Sequence, residues 1–257
     1  MPHRVLFDDG THRNILLEDF GLTGLAVQAN QHLIVHGGEA MILAPGGHKV
    51  YSHALAATMS LLGPAELRTI FLSHQDPDIV AAVNGWLMTT DAEAWVSAIW
   101  TRFVAHFGID DLVAERLHPI PDEGMILPLG GAELMVVPAH FLHSPGNFQV
   151  YDPVSRILYS GDLGASVGID YTTVTDFDAH AEVMAGFHRR YLTSGAAMRA
   201  WAGMIRGLDI ETIAPQHGAV FEGREMVDRF VDWCTHQVCG VDLIDELYRL
   251  PTNGGVP

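Results

Sequence analysis

The chain has 257 residues, with 14 Lys+Arg against 31 Asp+Glu, a formal net charge of -17, and 15 His but only 2 Cys. A hydrophobic fraction of 48% with 18% charged residues excludes a disordered acidic chain. One lysine, Lys49, and no basic stripe exclude a nucleic-acid surface and a polybasic membrane patch, and two cysteines exclude a disulfide framework.

Met1 to Thr11 carries His3, Arg4, Asp8 and Asp9 with no apolar run behind it, and no stretch of 18 apolar residues follows. A cytoplasmic protein with reduced thiols is therefore expected. No repeat or composition break divides the sequence, so residues 1–257 are expected to form a single domain. Leu25 to Gln28, His32 to His36 and Ala40 to Ala44 read as strands separated by glycine pairs, the pattern of an antiparallel sheet. A helix is expected at His53 to Leu62, a compact strand at Arg68 to Ser73, and a helix at Ile79 to Thr89. A strand at Asp91 to Val96 and a helix around Ile99 to Phe107 follow. Strands are then expected at Ala132 to Val137, Asn147 to Tyr151 and Arg156 to Tyr159, and helices at Asp178 to Tyr191 and Met198 to Gly207. After a strand at Thr212 to Ala214, one long helix is expected from Arg224 to Leu250. Its stripe of Val227, Phe230, Val231, Cys234, Val238 and Val241 has the 3.6-residue period. Sheets interleaved with helices give an α/β class, layered with the helices outside. Cys234 and Cys239 stand about 140° apart around a helix axis, which reads as two packed thiols.

The informative segment is Phe71 to Ile79, where an apolar strand ends and His74, Asp76 and Asp78 follow at alternate positions. On a helix each step of two would turn these residues by about 200°, whereas in an extended turn they can point together. Asp76-Pro77 also has the form of a helix cap followed by proline at the first helical position. Alone, the segment reads equally well as a cap with solvated charges. Three further strands run into ligand-type residues in the same way. Leu134 to Pro138 leads to His140 and His143, Ile157 to Ser160 leads through Gly161 to Asp162, and Ile213 to Pro215 leads to His217. Residues at the ends of several strands can converge at one edge of a layered sheet, where such folds place their sites.

The order His-x-acid-x-Asp, Leu-His-Ser-Pro-Gly-Asn, Ser-Gly-Asp and Ala-Pro-x-His-Gly resembles the metallo-β-lactamase superfamily, and within it the flavodiiron branch that reduces dioxygen and nitric oxide. The resemblance runs from about residue 20 to about residue 225. It implies a four-layer αβ/βα sandwich with two metals. His74, Asp76 and His143 would hold the first, Asp78 and His217 the second, and Asp162 would bridge them. Zinc hydrolases of the superfamily carry histidines where this chain has Asp76 and Ile79. Flavodiiron proteins place an acid, usually Glu, at the position of Asp76.

Three imidazoles and three carboxylates suit iron or manganese, and zinc also accepts such a set. The resemblance further implies a flavodoxin-like domain. The 40 residues after His217 show no phosphate-binding loop behind a strand, so no FMN is expected in this chain. Among family members the chain looks most like the stand-alone di-iron dioxygen binders, some of them linked to chemotaxis and oxygen sensing. A dioxygen binder or sensor with two non-haem irons is the leading expectation, with an electron-donor or signalling protein as partner. A dioxygen or nitric-oxide reductase fed by a separate donor and a metal-dependent hydrolase are the alternatives, and a homo-oligomer is compatible with each. Three further roles stay open. His140 is a candidate to support the ligands from outside, and Tyr171 and Tyr191 are candidates to line the pocket. His32, His36, His48 and His53 are expected at the surface or the edge of the core.

Overall fold

A computed structural model describes residues 3–17 and 27–250. The first sheet contains seven strands in sequence order: β1 (His3–Asp8), β2 (His12–Leu17), β3 (Gln31–His36), β4 (Glu39–Leu43), β5 (Glu66–Phe71), β6 (Glu93–Ser97) and β7 (Leu117–Ile120). β1 to β4 pair antiparallel, and β4 to β7 pair parallel. The parallel connections carry α1 (Tyr51–Leu61), α2 (Pro77–Val80), α3 (Val83–Thr89) and α4 (Thr101–Val104). The second sheet holds β8 (Met125–Leu129), β9 (Ala132–Pro138), β10 (Phe148–Asp152), β11 (Ile157–Gly161), β12 (Thr212–Pro215) and β13 (Phe221–Glu222). Its one parallel pair, β11 with β12, is crossed over by α5 (Phe177–Tyr191) and α6 (Gly195–Ile205). α7 (Arg224–Thr235) and α8 (Ile244–Leu247) are the last α-helices among the described residues.

Three apolar layers hold these elements as a four-layer αβ/βα sandwich. On β3, Leu33 and Val35 face α1 and α3 with Ala54 and Trp86, while Ile34 faces the other sheet. On β12 the alternation repeats: Ile213 packs on Trp201 and Phe230 of the outer helices, and Ala214 lies between the sheets. Strands buried on both faces read as continuous apolar runs, which is why β3, β4 and β10 to β12 stand out in the sequence. At one end, the N–H of Phe148 donates to the carbonyl of Ser73 at 2.9 Å and joins the two sheets where β5 ends and β10 begins.

Several expected elements differ. Of the strand expected at Leu25 to Gln28, residues 25 and 26 lie outside the described residues, and Val27 and Gln28 are in no strand. The helix expected at Ile79 to Thr89 is two helices, α2 and α3, separated at Ala81 and Ala82. The helix around Ile99 to Phe107 is one α-turn followed by a 3-10 turn. The long terminal helix ends at Thr235: Val227, Phe230, Val231 and Cys234 are buried, but Val238 and Val241 are each 55% exposed. The chain turns there because Gly240, at φ +52°, passes so close to the carbonyls of Leu192 and Thr193 that a Cβ would lie 2.3 and 2.2 Å from them. Both cysteines are free and buried, and burial raises both thiols, Cys239 to about 11. Among the described residues no helix is long and apolar enough to cross a membrane.

Candidate metal centre

Four strand ends build the site. β5, β9, β11 and β12 stop at Phe71, Pro138, Gly161 and Pro215, and the turns after them present His74, His143, Asp162 and His217. β9 and β11 flank β10, both antiparallel to it, and β12 runs parallel to β11, so three of these ends lie along one edge of the second sheet. Glycines make the turns possible. Gly161 has φ +58°, and Gly218 has φ +85° with a would-be Cβ 2.0 Å from the Ser166 carbonyl oxygen.

Asp76 starts α2 with Pro77 behind it, as the sequence suggests, but its carboxylate makes no capping hydrogen bond. It faces inward instead, with Oδ2 3.4 Å from His143 Nε2 and 3.7 Å from His74 Nε2. Asp162 turns its two oxygens to different neighbours. Oδ2 lies 2.9 Å from His143 Nε2 and 3.6 Å from His74 Nε2, and Oδ1 lies 3.5 Å from His217 Nε2. His217 Nε2 is also 3.4 Å from Asp78 Oδ2. The six residues His74, Asp76, Asp78, His143, Asp162 and His217 thus come together as two groups that share Asp162.

The donor set fits metal ions. Ligand atoms of His74, Asp76, His143 and Asp162 all lie within 4.8 Å of one another. Atoms about 2.0–2.2 Å from one ion stand about 3–4 Å apart, so only a small contraction would seat a cation. His74 Nε2 and Asp162 Oδ1 are buried without any hydrogen-bond partner, an arrangement that costs free energy unless a cation meets them.

The charges in the protein alone point the same way. Burial opposes a charged His143, but the carboxylates of Asp162 and Asp76 outweigh it and raise the imidazole to about 10. His217 is likewise pushed down by burial and raised, to about 9, by Asp162, the Gln28 carbonyl and Asp78. Burial pushes Asp76 and Asp162 up, yet the surrounding imidazoles hold both well below the usual carboxylate range. Asp78 moves the other way, raised chiefly by burial and only partly relieved by His217. The cluster strongly prefers to contain positive charge.

Residues that the sequence reading passed over support these six. His217 Nδ1 donates to the Gln28 carbonyl, the Gly218 N–H donates to Gln28 Oε1 at 2.7 Å, and Asn30 Nδ2 donates to the carbonyls of Pro215 and Gly218. Gln75 joins two of the turns, donating from Nε2 to Asp76 Oδ1 at 3.0 Å and accepting from Ser144 Oγ at 2.6 Å. His188 is buried. Its Nδ1 donates to the Met184 carbonyl and its Nε2 accepts from the Gly164 N–H, which fixes the turn after Asp162. No short-range pattern marks these residues, because their partners lie up to 190 positions away.

The remaining candidates fall into place. A cavity of about 710 Å³ opens over the centre, walled by Val27, Val167, Phe187, Arg190 and Tyr191. Tyr191 is 59% exposed at its rim, edge-on to His143 at 6.2 Å and stacked on Phe187 at 4.7 Å. Tyr171 does not line this cavity, and its hydroxyl pairs with His180 Nδ1 at 2.8 Å. His140 points away, with Nε2 donating to the Asp122 carbonyl at 2.8 Å. His32, expected near the surface, is 2% exposed, and burial lowers it to about 4.

Known proteins resemble this chain in sequence and fold. The family model described as "ODP family beta lactamase" matches residues 27–218. A structure of a peroxy diiron species of the chemotaxis sensor ODP is 39% identical, with a TM-score of 0.86 over 96% of this chain and 100% of that one. The apo state of the sensor from T. denticola is 38% identical, with a TM-score of 0.83 over 96% and 99% of the two chains. A flavo di-iron protein variant from Thermotoga maritima shares the fold at 18% identity, with a TM-score of 0.73 over 91% of this chain and 60% of its own. Diflavin flavoprotein A 1 of Synechocystis sp. (strain ATCC 27184 / PCC 6803 / Kazusa) is 25% identical over 230 residues. The match covers 85% of this chain and only 38% of that flavoprotein. The chain belongs to the ODP family of beta-lactamase-like proteins.

Proposed function

We propose that the protein is a di-iron dioxygen binder that works as an oxygen sensor in the cytoplasm. His74, Asp76 and His143 would hold one iron and Asp78 and His217 the other, with Asp162 bridging them. The observation that carries this reading is the divided aim of Asp162, one oxygen toward His143 and His74 and the other toward His217. Full-length similarity to the chemotaxis sensor ODP, a protein described in a peroxy diiron state, supports iron as the metal. When bound, the pair supplies two adjacent redox-active ions with coordination positions left open for dioxygen.

The protein's own groups do the rest. Three carboxylates offset most of the charge of two divalent ions and favour their higher oxidation states over those at an all-histidine site. The Gln28 carbonyl keeps the Nδ1 proton on His217 and leaves Nε2 free to ligate. Ile79 stands where the zinc hydrolases carry a further histidine. It is fully buried and offers no donor. Val27, Val167 and Phe187 present apolar walls on the approach to the centre, which suits an uncharged diatomic ligand.

An oxygen electrode tests the reading. Anaerobically reduced, iron-loaded protein should take up about one dioxygen per di-iron centre and then stop. The flavodiiron likeness of the fold favours one second reading, reduction of dioxygen or nitric oxide with electrons from a separate donor protein. Sustained consumption that depends on added donor would select it.

A further inference from the structure

Directly behind the metal ligands lies a small cavity of about 20 Å³, walled by His32, Ser73, Tyr159 and Gln216 among apolar neighbours such as Phe71 and Leu43. Each of these six side chains is buried, none more than 4% exposed. One water needs about 10–15 Å³ of space for its centre and two to four polar partners.

The partners can be assigned from the hydrogen bonds around the cavity. His32 Nε2 lies 3.4 Å from the Pro215 carbonyl, so it carries the ring proton. Its Nδ1 is then an acceptor, and it is buried with no protein partner. Gln216 Nε2 lies 3.3 Å from Asp78 Oδ2, which fixes the amide with its nitrogen toward the carboxylate. Gln216 Oε1 is therefore the atom left over, and it too is buried and unpaired. Ser73 Oγ lies 3.0 Å from His74 Nδ1. If His74 ligates through Nε2, its Nδ1 carries the proton and donates to Ser73 Oγ. The serine hydroxyl hydrogen is then free to donate elsewhere.

We propose that this cavity is a built site for one water molecule, which accepts from Ser73 and donates to His32 Nδ1 and Gln216 Oε1. The two unpaired acceptors at the cavity, His32 Nδ1 and Gln216 Oε1, then each have a donor. The circuit runs from His74 through Ser73 and the water to Gln216 and on to Asp78, so one buried solvent molecule backs a ligand of each metal subsite. Ser73, His32 and Gln216 are positioning residues in this circuit. The His32 ring is itself held by the Tyr159 ring, with centroids 4.9 Å apart. The positioning role and the direction of the Ser73 hydroxyl rest on His74 and Asp78 being ligands, whereas the water's two acceptors, His32 Nδ1 and Gln216 Oε1, do not.

Two measurements on the full chain test the proposal separately. A crystal structure of the metal-free protein should show one ordered water within hydrogen-bond reach of His32 Nδ1, Ser73 Oγ and Gln216 Oε1. A dry cavity would overturn the water site. Zinc, used as a probe metal against a competing chelator, should bind Ser73→Ala about tenfold more weakly than the parent, the usual cost of losing such support. Ser73→Thr, which keeps the hydroxyl, should restore the affinity. Unchanged affinity in Ser73→Ala would overturn the positioning role. Should that variant not fold, imidazole nitrogen shifts of the parent protein decide the matter: a proton on Nε2 of His32 is expected, and a proton on Nδ1 contradicts the circuit. A native metal other than iron would sink the di-iron reading and leave both tests intact.

Discussion

Asp162 Oδ2 lies 2.9 Å from His143 Nε2 on one side, while its second oxygen turns to His217 on the other. That division makes Asp162 the one side chain common to both halves of the centre. Asp162→Ala should therefore lose both metals, from about two per chain to near zero. His217→Ala should keep about one, because His74, Asp76 and His143 remain together. His53→Ala, on an exposed face of α1, should keep both. Metal content after desalting reads all three, and equal content would contradict the assignment.

The protonation of the two histidines gives a pH dependence with a definite sign. His143 is raised to about 10 and His217 to about 9, from an ordinary value of 6.5. Each binds its proton more tightly folded than unfolded, so its stabilisation is complete below about 6.5 and is lost as the pH rises through 9 to 10. Asp76 and Asp162 are held low, so their contribution is present above 3.8 and fades as the pH falls below it. Chelator-treated protein should lose thermal midpoint steadily from pH 7 to pH 10, and metal-loaded protein should lose less.

The same shifts predict proton release on metal binding. At pH 7.5 both imidazoles must give up a proton to become ligands, so about two protons should leave per pair of metals. Titration calorimetry in two buffers of different ionisation enthalpy measures this directly. No release would mean that these histidines are not ligands.

Gln28 and Asn30 hold the turn of His217 from a segment outside any strand or helix. Asn30→Ala frees the carbonyls of Pro215 and Gly218 and should weaken the second metal by about tenfold while leaving the first unchanged. A stepwise zinc titration separates the two affinities.

Far from the metals, Asp152 and His12 form a fully buried pair at 2.6 Å between the sheets. Asn14 and Ser155 also donate to Asp152 Oδ2, at 2.7 Å each. Burial pushes this carboxyl up, but those hydrogen bonds hold it low. Asp152→Ala would take the acceptor from His12 Nε2 and Ser155 Oγ, while Asn14 keeps the Tyr159 hydroxyl, and should cost about 3–5 kcal/mol in urea unfolding. Metal content should stay at two per chain.

The strand-end pattern brought out the six centre residues together with His140, because a strand end fixes where the next side chains project. The family resemblance separated the six from His140, whose ring turns to the Asp122 carbonyl. The sequence did not show β1, β2, β7, β8 or the two-residue β13. His12 and Asn14 interrupt the apolar pattern of β2, and what buries them is Asp152, about 140 residues further on. The terminal helix was overread for a related reason: Val238 and Val241 keep the helical period, but Gly240 must pass against the carbonyls of Leu192 and Thr193. Ser73, Gln75, Gln216 and His188 gave no signal because their roles depend on partners that only the folded chain supplies.

The most direct test of the central claim is one spectrum taken with one metal analysis. Protein prepared under iron supply and reduced without air should contain about two irons per chain. Admitting dioxygen should then produce a stable new visible absorption band without any added donor. Two zincs per chain, with no spectral change on exposure to dioxygen, would contradict the account.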